Sequence, residues 1–124
     1  MEGDGAQTTA AARARMLATL RAIAEPNRMR IVELLKAGPL SVGEIAERLG
    51  MRQPQASKHL KVLGDSGVVT VRAEANRRIY SLSAVAFRTL EGWLETFRWT
   101  MEQRFDDLDA YLRRLQRGEA RDED

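Results

Sequence analysis

The chain has 124 residues, with 20 Lys and Arg against 18 Asp and Glu for a formal net charge of +2, and 44% hydrophobic and 31% charged residues; this is the size and balance of one folded domain, not of a disordered chain. There is no cysteine and a single histidine, His59, which excludes disulfides, thiolate nucleophiles, iron–sulfur clusters and thiolate metal sites, and leaves a serine triad only one imidazole to be built around. No run of 18 or more apolar residues exists to span a membrane, and residues 1–12 lack the basic start and apolar core of a secretory signal, so a cytoplasmic protein without a membrane partner is expected.

Residues 1–8 (MEGDGAQT) read as a disordered tail. Residues 9–24 are Ala-rich, with Leu17, Leu20 and Ala24 at helical spacing, and predict a first helix. Pro26 fits the first turn of a second helix, whose apolar face is Ile31, Leu34 and Leu35 and which Gly38 and Pro39 end. Ser41 to Glu44 spells the capping box S-x-x-E ahead of Ile45 and Leu49, opening a short third helix that stops at Gly50. Residues 53–65 predict a fourth helix, with Ala56, Leu60 and Leu63 as its single buried stripe.

The period then changes. Val68–Val71 and Ile79–Leu82 are short strand-forming runs joined by a polar stretch, Arg72–Arg78, which reads as a hairpin with a longer loop turning at Asn76. From Ser83 to Arg117 apolar residues return in steps of three or four: Phe87, Leu90, Leu94, Phe97, Met101, Phe105, Leu108, Leu112 and Leu115. A stripe of that length exceeds what one small domain uses to cover itself. The expected fold is mainly α with a small β-hairpin (α+β): four helices, a hairpin and a long helix, forming a single domain over residues 9–117 with a charged tail at 118–124.

The third and fourth helices are separated only by Gly50–Arg52, the length of a helix-turn-helix connection. The fourth would enter a DNA major groove. Its exposed face offers Arg52, Lys58 and Lys61 for phosphates, and Gln53, Gln55, Ser57 and His59 for base edges. Arg72, Arg77 and Arg78 add a basic hairpin, and the arrangement is that of a winged helix-turn-helix. From Arg52 to Tyr80 there are six basic residues against two acidic ones, net +4; from Glu102 to Asp124 there are five against eight, net −3. One end suits approach to phosphate and the other avoids it.

The stretches EPNRMRIVELL, SVGEIAERLG, QASKHLKVL and GVV…RRIYSL, in that order within residues 25–82, resemble the ArsR/SmtB winged-helix transcriptional repressors over about half the chain. The resemblance implies a homodimer that binds a near-palindromic operator in double-stranded DNA and usually represses. It also implies dimerisation through the first and last helices. Leu17, Leu20, Phe87, Leu90, Leu94, Phe97, Met101, Phe105 and Leu108 are the residues expected there.

The chain also departs from that family. Many members sense metals through cysteines at the start of the third helix, where this chain reads LSVGEIA, or through histidine and acidic residues of the last helix, which here has no histidine. DNA binding carries over and metal sensing does not; no cofactor is expected. Arg52 stands where a capping Ser is common, and Arg cannot accept from helix N–H groups.

Plainer readings stand beside these. His59 can bond the backbone near the turn, Arg78 can pair with Glu74 across the hairpin, and Asp106, Asp107 and Asp109 can be surface charge or ligands for a hard cation. Phe87, Trp93, Phe97, Trp99 and Phe105 can pack a dimer or line a pocket for a small apolar effector between the first and last helices. A winged-helix protein-interaction module is the alternative from another class. An enzyme lacks a nucleophile, base and oxyanion site together.

Overall fold

Helix α1 (Glu2–Ile23) is carried by Ala-rich sequence and buries Met16, Thr19 and Ala22, one residue per turn. The computed structural model describes residues 2–118, with side chains described from residue 10 onward. The helix runs back to Glu2, into the stretch expected as a disordered tail: once a first turn exists, each further residue adds a hydrogen bond without a new nucleation cost. The tail expected beyond residue 118 lies outside the described residues.

Helix α2 (Pro26–Leu35) starts sharply. Pro26 occupies its first turn, and extended Glu25 caps it, its carboxylate accepting from the Arg28 N–H at 2.7 Å. Ile31, Val32 and Leu35 are buried. Two-residue strand β1 (Leu40–Ser41) leads into helix α3 (Val42–Leu49). There the expected capping box is formed: the Glu44 N–H donates to Ser41 Oγ at 3.2 Å, and the Ser41 N–H donates to Glu44 Oε1 at 2.9 Å. Gly50, at φ +65, ends α3 in the left-handed conformation that glycine adopts without strain. Arg30 of α2 donates to the Leu49 carbonyl at 2.8 Å, so a side chain distant in sequence satisfies an orphan carbonyl at the end of α3.

Helix α4 (Gln53–Asp65) crosses the core through Ala56, Leu60 and Leu63. Its N-cap, Arg52, makes no side-chain capping bond. Strands β2 (Val69–Glu74) and β3 (Arg77–Leu82) form the wing, and helix α5 (Ala84–Gln116) follows. The largest fully buried side chains are Ile31, Ile45, Leu60, Leu63 and Val68. They come from α2, α3, α4 and the turn into the wing, so the core lies directly beneath the helix-turn-helix.

The sheet has the order β1-β3-β2, all antiparallel, with Leu40↔Tyr80 and Ser41↔Ile79 on one side of β3 and a ladder from Val69↔Leu82 to Glu74↔Arg77 on the other. Two expectations are corrected here. β1 makes a third strand, and Arg72–Arg78 is not a loop, because both strands run on to a two-residue turn at Ala75 and Asn76. Charged side chains hid the strands, since their propensity reflects packing on a half-buried surface and the wing's outer part has none.

The chain divides into two compact units, Met1–Leu90 and Glu91–Asp124. The first holds the core and wing. The second is the continuation of α5, and no residue of that helix is buried. Within it Trp93 and Phe97 meet edge to face, 5.1 Å between centroids, Arg113 pairs with Asp109, and the Arg114 guanidinium lies 5.8 Å from the Tyr111 ring.

Candidate nucleic-acid interface

Burial of Ala56, Leu60 and Leu63 turns the rest of α4 outward, and Gln53, Gln55, Ser57, Lys58 and Lys61 are all exposed, as is Arg52 before them. Gln53 stands near Gly43, over the start of α3. Lys61 Nζ lies 3.2 Å from Asp65 one turn on, whereas Arg52 and Lys58 have no carboxylate partner among the described residues.

His59 is different. It sits at the flank of the buried stripe, its side chain only 19% exposed, with Nδ1 3.8 Å from Glu25 Oε2 at the cap of α2. Of the six α4 positions expected to meet DNA, this one turns toward the protein. The Glu25 carboxyl is held below the ordinary range, chiefly by the Arg28 N–H and, less strongly, by the Asn27 N–H, with the Arg28 charge adding to both.

In the wing, Arg72 Nη2 is 3.0 Å from Glu74 Oε2. Arg77 Nη2 donates to Glu44 Oε1 at 2.9 Å, across 33 residues of sequence. The alternative pairing of Arg78 with Glu74 does not form: Glu74 is engaged by Arg72 and stands opposite Arg77, while Arg78 stands opposite Ala73. Glu44 is held below the ordinary carboxylate range by the Ser41 N–H first and the Ser41 hydroxyl next, with the Arg77 charge adding to both.

Between α4 and the wing lies a groove of about 770 Å³ lined by Ser57, Leu60, Lys61, Gly64 and Asp65 from the helix, by Val69, Thr70, Val71, Arg78 and Tyr80 from the strands, and by Val42. Its lining combines apolar side chains with hydroxyls, two cations and the Asp65 carboxylate that pairs with Lys61. Sequence reasoning had no access to this groove or to the place of Tyr80 in it, nor to the pairing of Glu44 with Arg77. The S-x-x-E signature marked Glu44 as a capping residue, but its second partner is remote in sequence. A smaller cavity of about 240 Å³ lies among Arg15, Thr19, Ser66, Gly67, Ser83, Val85, Ala86 and Thr89.

The residues expected at a dimer interface divide. Leu17 and Leu20 of α1 are exposed, as are Leu94, Phe97, Met101, Phe105 and Leu108 of α5, and Leu90 is half-buried. Phe87, also expected there, is half-buried and packs against the core of its own unit. The Ser83 N–H donates to the Val68 carbonyl at 2.8 Å, which anchors the start of α5 over the core and turns Phe87 inward. Among the described residues no group of three or more His, Cys, Asp or Glu is gathered to hold a metal ion, so Asp106, Asp107 and Asp109 form no cluster, and no helix is long and apolar enough to cross a membrane.

Comparison with known proteins agrees with this geometry. A family described as a helix-turn-helix domain matches residues 23–72. The HTH-type transcriptional regulator Rv2034 of Mycobacterium tuberculosis is 41% identical over 80 residues, covering 64% of this chain and 74% of that protein. The transcriptional repressor SdpR of Bacillus subtilis is 31% identical over 77 residues, 62% of this chain and 86% of the relative. Among solved structures, the homodimeric winged helix-turn-helix DNA-binding domain of Mb0332 from Mycobacterium bovis, a possible ArsR-family regulator, superposes with a TM-score of 0.59 at 27% identity, over 76% of this chain and 89% of that one. Helix-turn-helix, wing, exposed polar face and relatives all converge: the chain belongs to the ArsR/SmtB-type winged helix-turn-helix family of DNA-binding transcriptional regulators.

Proposed function

We propose that the protein is a homodimeric repressor of transcription that binds a near-palindromic operator, with α4 in the major groove and the wing on the flanking backbone. The observation that carries this reading is the exposed row Gln53, Gln55, Ser57 and Lys58 beside a groove whose rim holds Arg78. Amides and hydroxyls at such positions read base edges, and cations at their flanks fix register on the phosphates. Lys61 and Arg52 serve the backbone; His59 supports the helix from behind, through Glu25. Dimerisation falls to the exposed apolar residues of α1 and α5. SdpR, a repressor, and the homodimeric Mb0332 domain support the repressor and dimer parts of the reading.

With no cysteine and one histidine, regulation proceeds without the thiolate and imidazole ligands used for metal sensing. The protein works where DNA is found, the cytoplasm in the bacteria its relatives come from. Selection from a randomised duplex pool, followed by anisotropy on the enriched and scrambled duplexes at two salt concentrations, tests the proposal. A two-fold symmetric site, with half-sites about one helical turn (roughly 34–36 Å) apart, is expected. Equal binding to both duplexes, lost with salt, would leave only a basic surface and overturn it.

A further inference from the structure

The two faces of the wing are not equivalent. Residues directly opposite in an antiparallel pair share a face, and faces alternate along a strand. The register Val71↔Tyr80 and Ala73↔Arg78 places these four together, on the face that lines the groove with α4. Arg72, Glu74 and Arg77 fall on the other face. There both cations are engaged, Arg72 by Glu74 and Arg77 by Glu44. Arg78 has no carboxylate partner among the described residues, and it shares its groove with Ser57, Tyr80, Lys61 and Asp65, the last two paired with each other.

Resting on the operator-binding reading, we propose that the wing's faces divide the work: Arg78 takes a phosphate in the groove, whereas Arg77 with Glu44 is a positioning pair that sets the wing against α3 and takes none. Two observations and one electrostatic argument carry this. Glu44 Oε1 accepts from both the Ser41 N–H and Arg77, each at 2.9 Å, so the carboxylate is already fixed by its capping role before Arg77 arrives. The pairing of Ser41 with Ile79 brings β3 alongside the start of α3, so Arg77 reaches Glu44 without displacing the sheet. If Arg77 moved to a phosphate, Glu44 would stay behind, unpaired and facing the DNA charge; a neutral pair also releases little counterion.

The salt dependence of affinity for the selected duplex separates the roles, because each phosphate contact contributes about 0.9 to the slope of log K against log salt. Arg78→Ala should flatten the slope by about one unit. Arg77→Ala should weaken specific binding several-fold with the slope unchanged, and Arg77→Lys should restore the lost affinity. Glu44→Gln keeps an acceptor for Ser41 but frees Arg77, and should steepen the slope by about one unit. Melting curves check that each variant is folded, and Glu44→Gln carries the comparison if Arg77→Ala is not. A flatter slope for Arg77→Ala, an unchanged slope for Arg78→Ala, or no steepening with Glu44→Gln overturns the division of faces alone. A wild type without preference for its selected duplex overturns the operator reading, and this inference with it.

Discussion

Ala75 holds the wing's turn at φ +57, the left-handed region that a Cβ disfavours and that two-residue hairpin turns require at their first position. Glycine loses that strain but gains freedom in the unfolded chain, so Ala75→Gly should stabilise the protein by about 0.5–1 kcal/mol. A higher urea midpoint at unchanged m is the expected result, and a lower midpoint would count against strain at the turn. Two glutamates give the stability a pH dependence of known sign. Glu25 and Glu44 are both held below the ordinary carboxylate range, chiefly by backbone N–H groups. Each therefore binds fewer protons folded than unfolded at mildly acidic pH. Their contribution is complete above the ordinary glutamate value of about 4.3 and is lost as pH falls through the lowered native values. The gap in urea midpoint between wild type and Glu44→Gln should narrow from pH 7 to pH 3. A gap constant over that range would mean that the Glu44 charge contributes nothing to folding.

Helix α4 shows how one element serves two purposes through its period. Leu60 is fully buried and Lys58, two positions earlier, is exposed. Leu60→Ala should cost about 2–5 kcal/mol, a large share of a small domain's stability, and weaken DNA binding only by lowering the folded fraction. Lys58→Ala should leave the melting temperature unchanged and flatten the salt slope by about one unit on any duplex. If instead Lys58→Ala left the slope as it is, Lys58 would face solvent in the complex. The caps that delimit these helices belong to the same scale. Pro26 with Glu25, Ser41 with Glu44, and Gly50 are each legible because their partners lie within four residues in the chain. The wing is the converse case. Its strands carry charge on nearly every outer position, so no alternation of apolar residues announces them, and their length shows only in the ladder to Glu74↔Arg77.

For the molecule as a whole the exposed apolar surface of α5 is the dominant fact. Trp99 is 70% and Phe105 67% exposed, with Leu94, Met101, Leu108 and Leu112 also uncovered. Exposed large apolar side chains recurring along one helix mark an interaction site. On the homodimer reading, replacing Phe105 and Leu108 together by Glu should convert a dimer into a monomer in sedimentation at micromolar concentration. Operator affinity should then drop to that of an isolated half-site, because the second recognition helix no longer binds as part of one body. Unchanged sedimentation by the double variant would place the interface elsewhere.

Periodicity, caps and charge were enough to identify four helices, the helix-turn-helix, a basic wing and a long amphipathic helix, because each depends on residues a few positions apart. The identity of the exposed residues of α4 followed from the same local rule: burying Ala56, Leu60 and Leu63 dictates what points outward. Tertiary structure alone decided which of the candidate residues remain available. Glu25 lies far from His59 in sequence, and Glu44 is separated from Arg77 by 33 residues; only folding brings them to 3.8 Å and 2.9 Å. Charge counting treats Arg72, Arg77 and Arg78 alike. Register puts the first two beside carboxylates and leaves the third in a groove, because a pleated ladder sends neighbouring side chains to opposite faces.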